Sequence, residues 1–240
     1  MSGNLAAFLQ ESKRNLLESL RIEGIMKSRS IEEALLSVPR EAFLFPDTSS
    51  AMAYQDEPIP LGNSGQTISA PHMVVMMLEE LELHPGLKVL EVGGGSGYNA
   101  ALIGSIVSKG IAQRIPEPLV TSIERDENLT EFARKNLEKV GLSKIVRIIS
   151  GDGSLGYPKE SEEEVYDRII ITAGAPRVPR FLKSQLKKDG ILLAPVGGRT
   201  YQKLMKLRKL ENRSGKIEFQ ETHAVDCMFV PLIGADAHQR

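Results

Sequence analysis

Residues 87–107, LKVLEVGGGSGYNAALIGSIV, join an apolar run to a helix-like run through a loop of glycines. The first six residues predict a buried strand, and the residues from Tyr98 onward predict a helix. Glycines at positions 93, 95 and 97 allow a tight turn and let a ligand approach the backbone closely. This unit is typical of nucleotide-binding α/β folds, although glycines in such a place also serve a plain strand-to-helix turn.

Further apolar runs flank this unit and extend the pattern to the end of the chain. Four runs alternate with helical stretches, and this predicts a parallel sheet covered on both faces. Two later runs alternate in the manner of an antiparallel hairpin. The runs span residues 118–124, 144–150, 166–172, 190–196, 201–210 and 216–225. We therefore expect an α/β fold with a doubly wound, mostly parallel seven-stranded sheet and a C-terminal antiparallel hairpin.

The part of the chain before residue 87 has a different character. Apolar residues at helical spacing predict N-terminal helices over residues 1–50, with Ser30 and Glu33 as a capping box. Residues 51–70 lack periodicity and predict a long functional loop, which ends where Pro71 favours a helix start. Because 240 residues suffice for one core, we expect a single domain with its α/β part over residues 71–240.

Composition limits the partners and the compartment. Thirty basic and 31 acidic residues give a net charge of −1, which disfavours nonspecific nucleic-acid binding. The single cysteine, Cys227, is expected to be a small buried apolar group, with no internal disulfide and no metal site. Polar residues interrupt the N-terminal apolar positions, and no apolar run reaches about 18 residues. We expect a soluble cytoplasmic protein without a signal peptide or membrane contact.

Acidic residues follow three of the predicted strands and suggest a nucleoside site. Glu91 precedes Gly93 by two positions, and the spacing G-x-G-x-G is the usual methyltransferase form rather than the dinucleotide form. Glu124 ends the second strand and could accept hydrogen bonds from both ribose hydroxyls, unless it is a surface carboxylate with a cationic neighbour. Asp152, between two glycines, suits an adenine amino group, but such a segment is often just a turn.

The segment GQTISAPHM at residues 65–73 resembles the protein-L-isoaspartate O-methyltransferases. The resemblance continues through YQDEP at 54–58, the glycine loop, SIER, GDG, YDRIIITAGAP at 166–176 and FVPL at 229–232, so it covers about residues 31–234. It implies a Rossmann-like methyltransferase fold and S-adenosyl-L-methionine as cofactor, with S-adenosyl-L-homocysteine as product and no metal. It also implies methylation of isoaspartyl residues of damaged proteins. We expect a monomer, although the sequence does not give the oligomeric state.

The same resemblance implies roles for individual residues. Ser69 corresponds to the family's active-site serine, which would orient the acceptor carboxylate. Cofactor binding is implied for Gln66, Thr67, Glu91, Gly93, Gly94, Gly95, Gly97, Glu124, Arg125, Asp152 and Gly153. Substrate binding is implied for Ser69, His72, Val230, Pro231 and Leu232. The chain departs from the family at Gly174, usually alanine, at Gly94 and Val74, and in a longer segment over residues 108–118.

The expected chemistry needs alignment more than a base. The free α-carboxylate of isoaspartate titrates near 3.5 and is ionised at neutral pH. Ser69 and the N-terminal end of the following helix could converge on this anion, although Ser69 could also be an ordinary helix cap. His72 is more typical of a packed or partly exposed helix residue, since an ionised nucleophile leaves a general base little to do. Backbone at residues 230–232 would pair with the flanking peptide in strand fashion.

Three other functions share parts of this pattern. A methyltransferase for a small metabolite or RNA would have the same cofactor motifs, and only GQTISAPHM and FVPL argue against it. A nicotinamide-dependent oxidoreductase and a noncatalytic nucleotide-binding module would each retain the glycine loop. Stabilisation by S-adenosylhomocysteine but not by NAD would separate these last two from a methyltransferase.

Overall fold

The strands and helices occur in an order close to the expected one. The computed structural model describes residues 2–111, 116–161 and 163–239. In chain order the strands are β1 (Ile59–Pro60), β2 (Thr67–Ile68), β3 (Val89–Val92), β4 (Val120–Glu124), β5 (Val146–Ser150), β6 (Tyr166–Ile171), β7 (Leu186–Gly197), β8 (Gln202–Glu211) and β9 (Ile217–Cys227). The helices are α1 (Ser2–Ile22), α2 (Arg29–Ser37), α3 (Pro71–Glu80), α4 (Tyr98–Val107), α5 (Glu127–Lys139) and α6 (Arg180–Gln185).

Seven strands form one mixed sheet in the order β5-β4-β3-β6-β7-β8-β9. The pairs from β5 to β7 are parallel, and the last two pairs are antiparallel. The expected parallel sheet with a C-terminal antiparallel hairpin is thereby confirmed. Strands β1 and β2 form a separate antiparallel pair, Ile59 opposite Ile68, which ties the long loop over residues 51–70 to itself.

Both faces of the sheet are covered, which explains why its strands read as continuous apolar runs. In β3, Leu90 and Val92 join one buried cluster, whereas Val89 joins the other. In β6, Ile169 and Ile171 lie on the side of Leu90, and Ile170 lies opposite. This alternation follows from the two-residue period of a strand. Residues from α1 to α5 pack on one face, and Leu182 of α6 packs on the other.

The order of the strands places a crevice at the carboxyl ends of β3, β4 and β6. From β3 the chain moves outward to β4 and β5, then returns to place β6 on the other side of β3. In register, Val92 lies between Ile123 and Ile171. Ligands in open α/β sheets bind outside the carboxyl ends at such a reversal of strand order. The glycine loop, Glu124 and residues 172–175 all leave the sheet here.

The start of α2 differs from the prediction. The capping box at Ser30 is wrong, because α2 begins at Arg29 and no side chain caps it. Instead, the Glu79 carboxylate of α3 accepts hydrogen bonds from Ser28 N (2.7 Å) and Ser28 Oγ (2.6 Å), so a tertiary partner replaces the local one.

Of the longer segment over 108–118, residues 112–115 lie outside the described residues. No described helix combines the length and the apolar character that crossing a membrane requires.

Candidate active site

The glycine loop lies against the ends of the neighbouring strands. Backbone N–H groups of Gly93 and Gly94 donate to Ile123 O at 2.9 and 3.1 Å, so the loop is tied to the end of β4. Gly93 has a φ of +102°, and a methyl group there would lie 2.3 Å from Thr172 Oγ1. Gly97 has a φ of +85° where α4 begins. Glycine is therefore required for backbone conformation and for space, beyond what a simple turn demands.

Glu91 is buried beneath the glycine loop. It lines neither of the two cavities that lie at the carboxyl edge of the sheet. Its fully buried carboxylate accepts hydrogen bonds from Asn99 Nδ2 at 2.8 Å and from Ser122 Oγ. Burial raises the pKa of Glu91 to about 7, against the bonds from Ser122 and Asn99, and the nearby charge of Glu124 raises it further. Its assignment to cofactor binding stays a prediction, and the structure places it one layer behind the cavity wall.

Glu124 is a buried carboxylate with no cationic partner among the residues that the structure describes, so the surface-pair interpretation is wrong. Its side chain is 2% exposed and accepts bonds from Gly95 N (2.8 Å) and Asp126 N (2.8 Å). Gln66 Nε2 donates the third bond, at 3.2 Å. A carboxylate offers about four acceptor positions, so two ribose hydroxyls could bind only if Gln66 gave up its place. Glu124 thus holds the loop as well as facing the cavity.

The Gly151 to Gly153 segment reaches the site through its backbone more than through its acidic side chain. Asp152 accepts hydrogen bonds from Ser154 N (3.0 Å), Ser154 Oγ (2.7 Å) and Ala235 N (2.7 Å), which ties the C-terminal segment to the sheet edge. Gly151 and Gly153 line the adjoining cavity, whereas Asp152 does not. The predicted contact of Asp152 with adenine would need to share its carboxylate with these donors.

Two adjoining cavities lie at this edge of the sheet. The larger cavity, about 360 Å³, is within the size range of small-molecule sites. Its walls include Gly65, Gly93, Glu124, Arg125, Gly153 and Leu232. The smaller cavity is about 60 Å³ and includes Thr67, Ser69, Gly94, Tyr98 and Asn99. Gln66, Gly93, Ala173 and Val230 border both, so a ligand in one would lie next to a ligand in the other.

Ser69 lines the smaller cavity but does not cap the helix that follows it. The N-cap of α3 is Ala70, without a side-chain hydrogen bond, and Pro71 is the first helical residue. Instead, Asp56 Oδ1 accepts bonds from His72 N at 2.8 Å and from His72 Nδ1 at 3.0 Å. A carboxylate therefore already lies at this helix end, and the attraction of the helix terminus for a substrate anion stays a prediction that the charge of Asp56 opposes. His72 faces Asp56 and lines neither cavity; its substrate contact stays a prediction.

Residues 229–232 lie along the larger cavity, whose wall includes residues 230–232, and Val230 also lines the smaller cavity. Other parts of the chain hold this segment. Gly174 N donates to Val230 O at 2.8 Å, and Leu232 N donates to Gly174 O at 2.7 Å. His238 N donates to Leu232 O at 3.0 Å. Strand-like pairing of a peptide with this backbone is therefore limited, since most of its donors and acceptors are already used. Val230 N and Pro231 O have no hydrogen-bond partner within the described residues.

Several supporting residues carried no recognisable sequence signal. Gln202, fully buried at the start of β8, accepts a bond from Phe229 N at 2.8 Å and thereby fixes the wall formed by residues 229–232. A methyl group on Gly174 would lie 2.8 Å from the Gln202 side chain, which accounts for glycine at that position. Arg40 Nη2 donates to Ser69 O at 2.9 Å from a distant 3-10 helix, Arg40–Phe43.

Cys227 is half-buried rather than fully buried, with Sγ 3.6 Å from Gln202 O, and burial raises the pKa of its thiol to about 11. The thiolate that reactive cysteines need is thus disfavoured. No group of three or more histidine, cysteine or acidic side chains suited to a metal ion occurs within residues 2–111, 116–161 and 163–239.

Comparison with known families agrees with this geometry. The family model described as protein-L-isoaspartate(D-aspartate) O-methyltransferase matches residues 11–237. A protein-L-isoaspartate O-methyltransferase from Hyperthermus butylicus is 48% identical over 227 residues, 95% of this chain and 90% of the relative. One from Staphylothermus marinus is 47% identical over 225 residues, 94% of this chain and 95% of the relative.

Solved structures of the same kind have a similar fold. A protein-L-isoaspartate O-methyltransferase superposes with a TM-score of 0.79 at 28% identity, covering 94% of this chain and 67% of that chain. A Plasmodium falciparum protein described as a protein-L-isoaspartate O-methyltransferase, solved with S-adenosyl-L-homocysteine, superposes with a TM-score of 0.76 at 26% identity. That match covers 91% of this chain and 97% of the other.

Proposed function

From the premise that this chain belongs to the protein-L-isoaspartate(D-aspartate) O-methyltransferase family, we propose that it transfers a methyl group from S-adenosyl-L-methionine to the free α-carboxylate of L-isoaspartyl residues. The observation that carries the proposal is the junction of the two cavities. A buried carboxylate, Glu124, lies in the wall of the larger one, and a serine hydroxyl, Ser69, lies in the wall of the smaller one.

The larger cavity has features that a nucleoside requires. The wall at Gly93 leaves no room for a side chain, and Glu124 and Gln66 offer an acceptor and a donor for sugar hydroxyls. When bound there, S-adenosyl-L-methionine would supply an electrophilic methyl group. Gly93, Glu124 and Gly153 would hold the nucleoside part, and Gln66, which borders both cavities, would lie between cofactor and acceptor.

The smaller cavity would position the acceptor. A carboxylate with a pKa near 3.5 is already ionised at neutral pH, so the protein must align and desolvate it rather than remove a proton. The Ser69 hydroxyl donates to no acceptor within the described residues, which leaves it available for a carboxylate oxygen. Good alignment can supply about 7 to 11 kcal/mol of a reaction barrier.

The methyl ester explains how such transfer initiates repair. An ester carbonyl is a better electrophile than a carboxylate, and the neighbouring amide nitrogen can attack it to form a succinimide with loss of methanol. Hydrolysis of the ring then returns some normal aspartate. No further group on the protein is needed for this step.

Membership of this enzyme family argues against the oxidoreductase and noncatalytic alternatives. We further propose that the protein works as a cytoplasmic monomer without nucleic-acid or membrane partners. A single cysteine and a net charge of −1 support this view. Size-exclusion chromatography with light scattering would test the monomer, since a mass near 53 kDa (2 × 26.4) instead of 26.4 kDa would contradict it.

The decisive experiment compares two peptides of identical sequence, one with isoaspartate and one with aspartate. In aspartate the free carboxylate is one methylene away from the α-carbon, so it cannot reach Ser69 while the backbone follows the same path. A misplacement of about 1 Å can cost on the order of a hundredfold in rate. We expect at least a hundredfold preference in kcat/KM for the isoaspartyl peptide, with a base-labile product. If the protein binds S-adenosyl-L-homocysteine yet methylates both peptides equally, or neither, the isoaspartyl assignment is wrong.

A further inference from the structure

The Arg40 guanidinium is a buried positive charge behind the smaller cavity. Its side chain is 1% exposed. Nη2 donates to Ser69 O, whereas Nε and Nη1 have no hydrogen-bond partner in the described part of the chain. Burying a cation with few hydrogen-bond partners is unfavourable, and such groups are concentrated at functional sites. Packing alone therefore does not explain why a charged side chain occupies this position.

Arg40 contacts two residues that line the smaller cavity. One is Ser69, through its carbonyl oxygen at 2.9 Å, and the other is Tyr98, whose ring centroid lies 5.0 Å from Arg40 Cζ. Tyr98 in turn packs edge-on against Phe43 at 5.3 Å, so the ring is fixed from the far side. The guanidinium thus lies directly behind the residue that we assign to the acceptor carboxylate.

Other charges near this position have their own partners. The Asp56 carboxylate binds His72 at the start of α3, and the Glu41 carboxylate binds the Tyr54 hydroxyl. Neither accepts a hydrogen bond from Arg40 among the described residues. Burial lowers the pKa of Arg40, whereas Tyr98 and the charge of Asp56 act in the opposite direction. Since Asp56 accepts a hydrogen bond at the helix end, its charge offsets part of the positive potential of the helix near Ser69. Arg40 is a further cation on the other side of the Ser69 peptide, and a guanidinium keeps its charge at neutral pH.

We propose that Arg40 is a positioning residue for the acceptor carboxylate. It holds the Ser69 peptide through the carbonyl oxygen, and its buried positive charge makes the smaller cavity favour an anion over a neutral group. This inference rests on the proposed function, because the anion is the substrate α-carboxylate. Arg40 thereby becomes part of the site. Its role is electrostatic, and it contacts Ser69 through the backbone carbonyl.

The test measures the affinity of protein loaded with S-adenosyl-L-homocysteine for two peptides. One contains isoaspartate, and the other has the same sequence with the free α-carboxylate converted to a carboxamide. Hydrogen bonds to charged groups contribute about 1.5 to 3 kcal/mol, so the wild type should favour the carboxylate by tenfold to more than a hundredfold. Arg40→Met should reduce this ratio to within about threefold. Its affinity for S-adenosyl-L-homocysteine should change by no more than threefold.

Arg168→Met is a matched control. Arg168 is also a buried arginine, and its Nε donates to the backbone carbonyl of Leu81 at 2.6 Å. It lies opposite Val89, at the amino end of the sheet and away from both cavities. We expect this variant to lose thermal stability but to keep the wild-type peptide ratio. A wild-type ratio in folded Arg40→Met, or an equal loss in Arg168→Met, would overturn the proposal.

Arg40→Lys covers the case in which Arg40→Met does not fold. Lysine keeps the charge without the planar guanidinium, so the carboxylate preference should stay within about fivefold of wild type while kcat falls at least fivefold. Unchanged kcat in this variant would overturn the positioning role, and complete loss of the preference would overturn the electrostatic one. If instead the wild type methylates no isoaspartyl peptide, the proposed function itself fails, and this is seen without any variant.

Discussion

The two ends of the site are built differently. At the cofactor end, the glycine loop and Glu124 leave adjacent parallel strands and bind each other through short connections, such as Gly95 N to Glu124 at 2.8 Å. At the acceptor end, side chains from elsewhere in the chain hold the backbone. Arg40 binds Ser69 O, and Gln202 binds Phe229 N beside Val230, which lines both cavities. The cofactor end is a consequence of strand order, whereas the acceptor end depends on individual long-range hydrogen bonds.

This difference has a functional meaning. A loop held by a parallel sheet presents the same geometry whatever the acceptor, so the cofactor end is a general methyltransferase feature. An end held by separate side chains can change its shape when any one of them is replaced. We therefore expect substitutions at the acceptor end to alter substrate turnover without altering cofactor affinity, and substitutions at the cofactor end to do the reverse.

The largest effect should come from Ser69→Ala, which breaks the acceptor end alone. Loss of a single orienting donor costs about 2.7 to 4 kcal/mol, or about a hundredfold to a thousandfold in kcat. Affinity for S-adenosyl-L-homocysteine, measured by calorimetry, should stay within threefold. Ser105→Ala, in α4 and away from both cavities, is the control. Equal turnover in Ser69→Ala and wild type would remove Ser69 from the mechanism.

Glu124→Gln should have the next largest effect and the opposite pattern. The amide keeps the size of the side chain but removes the charge that ribose hydroxyls would bind, so the Kd for S-adenosyl-L-homocysteine should rise tenfold to more than a hundredfold. At saturating cofactor, kcat should be within threefold of wild type. Glu127→Gln, exposed at the start of α5, serves as control. Unchanged cofactor affinity in folded Glu124→Gln would separate Glu124 from the cofactor.

Gly174→Ala should give the smallest effect. It tests whether the fit between Gly174 and Gln202 fixes residues 229–232. The added methyl group would meet Gln202 at 2.8 Å, and overpacking of this kind typically costs about 1 to 3 kcal/mol. We expect a lower Tm and a higher KM for the isoaspartyl peptide, with cofactor affinity unchanged. Gly198→Ala is the control, because the nearest atom would be 3.9 Å away. Wild-type Tm and KM in Gly174→Ala would show that Gln202 does not constrain this wall.

The fold and the cofactor end could be predicted because their signals are local. Short continuous apolar runs separated by helical stretches identify parallel strands that are covered on both faces. Glycines 93 and 97 mark the place where the first of these strands turns sharply into a helix. The position of Glu124 at a strand end follows from the same pattern. Motif resemblance then identified the family and suggested the role that we propose for Ser69, which no local property of a serine before a helix would reveal.

Tertiary structure alone decided the supporting contacts. A sequence with Ser30 and Glu33 suggests a local cap, but Glu79 binds Ser28 instead, and Asp56 rather than Ser69 satisfies the start of α3. Nothing in the residues near Arg40 or Gln202 indicates that they reach Ser69 and Phe229. The physical reason is that secondary structure follows from the preferences of neighbouring residues. A polar side chain's partner, in contrast, is set by which distant backbone groups the packed helices and sheet bring within hydrogen-bonding distance of it.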